Sequence, residues 1–394
     1  MAEMIFLRRG SGLDEEGKKK MRYRFALVAL VVVVGLGALF VFSYYFNNRC
    51  FENYQVENEV ERSDSNNVHY TYFNKNILKY SRSGISAMDN MGKSLWNGGY
   101  EMEQPQVDTC GNFVVAADVK GKRFYVYSGK DEGTSLETTL PIVRAKVSGQ
   151  GVAAVLLEDS DSNVLNLYDP YGTTEKLLVE IPTNVSEEGY PLDFDISPDG
   201  QSVVASYLVV SGNTVENKVS FYNFTEVGQD KNTLVGGKSF GDSMISSVEF
   251  IGEDTVAVFH EKGFSLFGRM KQPEILYEKT FDGEIRSIAC NEEYIAVVTA
   301  SGEDREEQNL YVYNLRGREE LSQEISYEYS DMEIYKGEII FHSSHNCNIL
   351  RINGHDKFDC HFDSEIEAVY PTENGSIYTM IDASFIRKIK LSGR

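Results

Sequence analysis

Four of the six histidines fall within FHSSHNCNILRINGHDKFDCHF, residues 341–362. His342, His345, Cys347, His355, Cys360 and His361 all carry groups that bind divalent transition metals. A metal needs those groups to converge on one point. His342 and Cys347 lie five positions apart, so strand alternation sends them to opposite faces unless the backbone bends between them. His355 falls in a hairpin turn, away from that pair. The stretch 342–361 is therefore read as loop and edge residues, and no metal ligands are assigned. Cys347 and Cys360 could meet across the same hairpin, and the sequence leaves that bridge open. With Cys50, Cys110 and Cys290 they form an odd, scattered set, not a disulfide framework.

Carboxylates are the other abundant reactive group, with 60 Asp and Glu in 394 residues. DFDISPDGQSVVAS, residues 193–206, brings Asp193, Asp195 and Asp199 close together. The calcium loop of an EF-hand needs a different spacing and a terminal Glu, so turn chemistry is the expectation here. Glu187-Glu188 and Glu292-Glu293 read as solvated turns. Acids are too numerous for a glycosidase pair to be chosen. Nucleophile elbow, HExxH pair and phosphate-binding loop are all missing. GQGVAA, residues 149–154, leads into a strand and is no dinucleotide fingerprint. No catalytic, cofactor-binding or metal-binding residue is expected, and no cofactor.

The elements that would position these groups are short strands. From GNFVVAADVKGKRFYVY (111–127) to GSIYTMIDASFIRKIKLSG (375–393), apolar strand, polar turn and second strand recur seven times. NILKYSRSGISAMDNMGKSLW, residues 76–96, fits the same template at the front. Successive units lie about 38–46 residues apart, with one interval near 54, the period of four-stranded propeller blades. FVVAA (113–117) and YIAVV (294–298) are almost wholly apolar, and are expected to be inner strands covered on both faces. The fold class is all-β, a β-propeller of eight four-stranded blades, or seven if the first unit is incomplete or merges with the last.

AMDNMGKSLW, residues 87–96, is a strand, a Gly-Lys turn and a strand. It resembles the tryptophan-docking repeat of quinoprotein-like propellers through Ala87, Asp89, Gly92, Lys93 and Trp96. It is one residue shorter before the glycine, and no Thr precedes Gly92. That resemblance implies a blade-to-blade lock. With a single Trp, no second docking motif of this kind is expected, nor a stacking platform for a quinone. SPDG, residues 197–200, is similar to the turn entering a strand in WD40-like and TolB-like propellers.

Ahead of the repeats, FALVALVVVVGLGALFVFSYYF (25–46) runs 22 residues without a charge. As a helix it spans about 33 Å, enough for a hydrocarbon core of about 30 Å. Arg8, Arg9, Lys18, Lys19, Lys20, Arg22 and Arg24 precede it, and only Arg49 follows closely. Positive-inside asymmetry makes residues 1–24 a cytoplasmic basic tail, 25–46 a transmembrane helix, 47–68 a polar stalk and 69–394 an extracytoplasmic propeller. The chain's net charge of −22 argues against a nucleic-acid partner. This order of parts resembles the membrane-anchored propellers of clostridial bacteria, a family of unknown function. The expected function is non-catalytic binding of an envelope protein, peptide or glycan at the cell membrane. A quinoprotein-like or hydrolytic enzyme with a site in the channel, or a ligand sensor, is the alternative.

Overall fold

The computed structural model describes residues 15–62, 67–129, 133–160, 162–172, 176–185, 188–225, 228, 233–301 and 307–393. The first fourteen residues of the basic tail, and Glu187 of the Glu187-Glu188 pair, lie outside them. Among the described residues, the helix α1 (Glu15–Asn47) precedes 32 strands. Residues up to Cys50 and residues from Phe51 onward are two separate compact units. In α1 the residues from Ala26 to Phe42 are all exposed, including Leu27, Val31, Leu36 and Phe40. Among the described residues no helix is long and apolar enough to cross a membrane. The side chains of Phe25, Ser43 and Phe46, which belong to the charge-free run, are not among those described.

The second unit is eight four-stranded antiparallel sheets. Seven blades use consecutive strands: β2–β5 within residues 69–99 (blade I), β6–β9 within 105–137 (II) and β10–β13 within 142–184 (III). Then come β14–β17 within 190–241 (IV), β18–β21 within 245–280 (V), β22–β25 within 284–325 (VI) and β26–β29 within 331–361 (VII). Blade VIII combines β30 (Ile366–Pro371), β31 (Ile377–Asp382) and β32 (Phe385–Ser392) with β1 (Asn53–Glu61) as its outermost strand.

Two expectations change here. The stalk of residues 47–68 contains β1, which pairs with β32 from Asn53 opposite Ser392 to Glu61 opposite Phe385. The first strand of the unit thus closes the ring against the last. NYQVENEVE hid this role because an outermost strand is mostly solvated and its side chains need not be apolar. Its acids are instead used laterally, Glu57 with Lys388 at 3.1 Å and Glu59 with Arg387 at 3.2 Å. The first repeat is a complete blade, so the count is eight.

The apolar runs also sit one strand further out than expected. FVVAA and YIAVV belong to β7 (Phe113–Asp118) and β23 (Tyr294–Ser301), the second strands of blades II and VI. A second strand has a neighbour on each side and a packed blade on each face, hence its burial. Between blades V and VI, for example, Phe259, Phe264 and Leu266 pack on Ile295, Val297 and Tyr313. Burying side chains of this size stabilises by about 1.5–3 kcal/mol each. The innermost strands are more polar, and in five blades their pairing with the second strand is bulged near its start, as between Pro191 and Asp193. Such a bulge re-aims the side chains that follow it.

Candidate functional site

An innermost strand has one unpaired edge, whose N–H groups need partners. Side chains of the preceding blade supply them. Gln106 on β6 (Pro105–Cys110) accepts from the Ala145 N–H at 2.9 Å, and Asp108 accepts from the Val147 N–H at 2.9 Å, both on β10 (Ile142–Val147). Asp193 and Asp195 on β14 (Tyr190–Ile196) accept from the Val248 and Phe250 N–H groups of β18 (Ile245–Phe250), at 3.0 and 2.7 Å. The Cys290 thiol of β22 (Glu284–Cys290) donates to Glu249 at 2.9 Å. Polar side chains therefore stitch blades II to VI together around the axis.

Lys146 stands inside this ring, 3.3 Å from Asp108 and 4.0 Å from Asp195. Burial pulls its ammonium down, but Asp108, Asp195, Asp193 and Glu249 together outweigh that and hold it protonated. Arg144 pairs with Asp193. Burial lifts the Asp195 carboxyl to about 7, with Asp108 adding to the lift and Lys146 and the Phe250 N–H opposing it. Burial, then Asp108, Asp195 and Glu292, push the Cys110 thiol to about 11. Burial and Glu249 raise Cys290 well above the usual thiol range. Both thiols stay protonated at neutral pH, so neither is primed as a nucleophile.

The other half of the ring is aromatic. Tyr72 on β2 (His69–Phe73) meets Tyr335 on β26 (Asp331–Tyr335) edge-on at 4.8 Å, and Tyr370 on β30 at 6.1 Å. Beside them is a cavity of about 790 Å³ whose lining includes Tyr72, Tyr335 and the deeply buried Tyr378. Its wall is built by the turns after the innermost strands of blades VI, VII, VIII and I, which bring Glu292, Glu293, Lys336, Glu373 and Lys75 to its edge. Lys75 pairs with Glu373 at 2.7 Å. Lys75 (φ 68) and Lys336 (φ 53) both hold left-handed backbone, a conformation that costs a side-chain-bearing residue roughly 1–2 kcal/mol. Glycine would avoid that cost, and the chain places an amine there instead.

Asp89 receives the Met91 and Lys93 N–H groups at 2.9 and 3.0 Å, and Gly92 turns at φ 76, so AMDNMGKSLW is a capped turn. Lys93 contributes its backbone to that turn, and Ala87 is fully buried opposite Trp96. Trp96 stacks on Tyr127 of the next blade, ring centres 5.4 Å apart, beside Gly129. The lock recurs without tryptophan. A Cβ on Gly317 would lie 2.3 Å from Tyr277, and one on Gly354 3.1 Å from Leu321. Tryptophan docking itself occurs once, and at the other two turns a flat or branched apolar group lies on the glycine instead.

Asp199 caps the SPDG turn through the Gln201 N–H at 3.0 Å, as turn chemistry requires. Asp193 and Asp195 do not take part in it; they face the ring. Glu292 and Glu293 edge the cavity. His345 and His361 stack at 6.0 Å, and His361 bonds to Asn346 at 2.8 Å. Cys347 and Cys360 are direct cross-strand partners, both buried and both free thiols. His342 faces Asp331, its partner on β26, and lies directly opposite Cys347 on its other side: the chain reverses between the two, so they share one face and not the opposite faces that strand alternation suggested.

A family model described as a family of unknown function, DUF5711, matches residues 47–391. The chain belongs to DUF5711. That match begins ahead of β1, in keeping with a propeller whose closing strand comes first. No curated protein matches the DUF5711 chain. Among solved structures, a eukaryotic initiation factor is 10% identical with a TM-score of 0.55, covering 87% of this chain and 88% of its own. Hsv2 from a Kluyveromyces yeast is 12% identical, TM-score 0.48, covering 73% and 93%. The Pan2 WD40 domain of Neurospora crassa is 8% identical, TM-score 0.42, covering 74% and 89%. At such identities the likeness is one of fold. The DUF5711 ring residues Asp108, Lys146, Glu249, Tyr72 and Tyr335 escaped the sequence reading. The only signal for them was a polar run just ahead of each apolar second strand.

Proposed function

We propose that the protein is a single-pass, membrane-anchored extracytoplasmic β-propeller that binds a peptide segment of an envelope protein without catalysis. The observation that carries this is the tyrosine-lined cavity at the mouth of the ring. Four blades contribute to it, its lining includes the half-buried Tyr72 and Tyr335, and Lys336 and the Glu292-Glu293 pair line it as well. Aromatic anchors surrounded by charge suit a peptide that is apolar at its centre and polar at its ends. The anchor is supported by the exposed apolar side chains of α1, which lipid would cover, and by the basic residues before them. Within this reading the docking repeat shared with quinoprotein-like propellers is a lock and not a reaction centre, and the setting is a clostridial cell surface.

Amine-reactive crosslinking of intact cells carrying the tagged full chain, read by mass spectrometry, tests the proposal. Partner crosslinks are expected to concentrate on Lys75 and Lys336. Reversing the exposed acids, Glu292→Lys with Glu293→Lys, should remove them while leaving the fold intact. Lys336→Gly should retain or raise thermal stability, because it relieves a left-handed side-chain-bearing residue, and should lose its own crosslink. Crosslinks spread evenly over the surface lysines, or unaffected by the acid reversal, would sink the cavity as the binding site.

A further inference from the structure

β26 and β27 (Glu338–His342) pair so that Asp331 lies opposite His342. Glu333 lies two residues along β26 and so shares Asp331's face. Met332 and Ile334 take the other face, packed in the core between blades VI and VII. One ligand atom from each of Asp331, Glu333 and His342 lies within 4.8 Å of the others. We propose that these three side chains hold a divalent first-row transition-metal ion, with at least one coordination position left open.

The spacing of the three groups suits a shared ion. His342 is more than nine-tenths buried. Its Nε2 points at Asp331 Oδ2 across 3.6 Å, too far for a hydrogen bond. An ion with N and O ligands at about 2.0–2.2 Å separates them by roughly 3.3–3.5 Å in a tetrahedral shell, so the His342–Asp331 pair already stands near that spacing, and Glu333, within 4.8 Å of both, would close the set by turning its side chain. Glu333 is oriented by the Tyr335 hydroxyl, which donates to its Oε2 at 2.7 Å, as outer partners orient metal carboxylates. A bound cation would supply the positive charge that Asp331 and Glu333 lack. One nitrogen and two carboxylates suit zinc, manganese or iron(II) better than calcium or magnesium, which prefer all-oxygen shells. Through Tyr335 the ion would also steady the lining of the cavity, although the metal proposal does not depend on what the cavity binds.

The test is titration of the metal-stripped full chain, in detergent, with Zn²⁺ and Mn²⁺ by calorimetry, and with Co²⁺ by absorbance. One ion per chain is expected, with no thiolate charge-transfer band. His342→Ala, Glu333→Gln and Asp331→Asn should each weaken binding 10–100-fold. Glu365→Gln, on the surface of blade VIII, should leave it unchanged. Asp331 is exposed at the end of its strand, so Asp331→Asn tests the site even if the buried variants fail to fold. No binding, a thiolate band, or equal affinity in wild type and Asp331→Asn would each overturn the proposal.

Discussion

Asp195 illustrates how one buried acid can serve the fold and burden it. Its carboxylate caps the Phe250 N–H at 2.7 Å and lies 4.0 Å from Lys146, yet its folded pKa of about 7 stands well above the usual value. Between roughly pH 4 and 7 the folded state therefore holds a proton that the unfolded chain has released. Stability falls as pH rises through that window, by up to about 1.4 kcal/mol per pH unit, and is flat above it. Asp195→Asn keeps an oxygen to accept the Phe250 N–H and removes the titration. Chemical unfolding at pH 5, 6, 7 and 8 should show a shallower slope in the variant. An unchanged slope would mean that Asp195 is ionised throughout. Lys146 has the opposite role, since its loss would leave Asp108 and Asp195 facing each other without a cation.

At the scale of elements, β1 is the part whose removal should matter most. A chain starting at residue 69, where the polar stretch ends, would leave β32 as a bare edge and strand Arg387 and Lys388 without Glu59 and Glu57. Compared with a chain starting at residue 51, it should unfold at a lower temperature and aggregate through that edge, as calorimetry and light scattering would reveal. Equal stability of the two would show that closure contributes little. The contrast between β1 and β7 explains what could be read in advance. FVVAA announces itself because a second strand is covered on every side, and the recurrence of such runs gives the period while leaving seven or eight blades open. NYQVENEVE carries no apolar mark, and its partner lies at the far end of the chain. The ring acids were visible as residues but not as a site, since Asp193 and Val248 meet only when two blades stack. Asp331 and His342 are eleven positions apart, and register alone brings them together.

At the scale of the whole molecule, the anchor proposal predicts that the full chain stays with membranes after alkaline carbonate extraction, while a chain from residue 51 is released. Protease added to intact cells should then reach the propeller; protection of the propeller would reverse the topology. The closing strand has a further consequence in time. β1 is the first strand to leave the ribosome and pairs with residues 324 to 339 positions later, from Glu61 opposite Phe385 to Asn53 opposite Ser392. At roughly 5–20 residues per second, it waits on the order of half a minute for its partner to exist. A waiting strand that were apolar would pair with whatever edge emerged next, each newly made blade offering one. The three glutamates and two asparagines that make NYQVENEVE look like a linker keep it solvated and uncommitted through that interval. Only β32, with Arg387 and Lys388 facing those acids, offers the matching charge when synthesis ends.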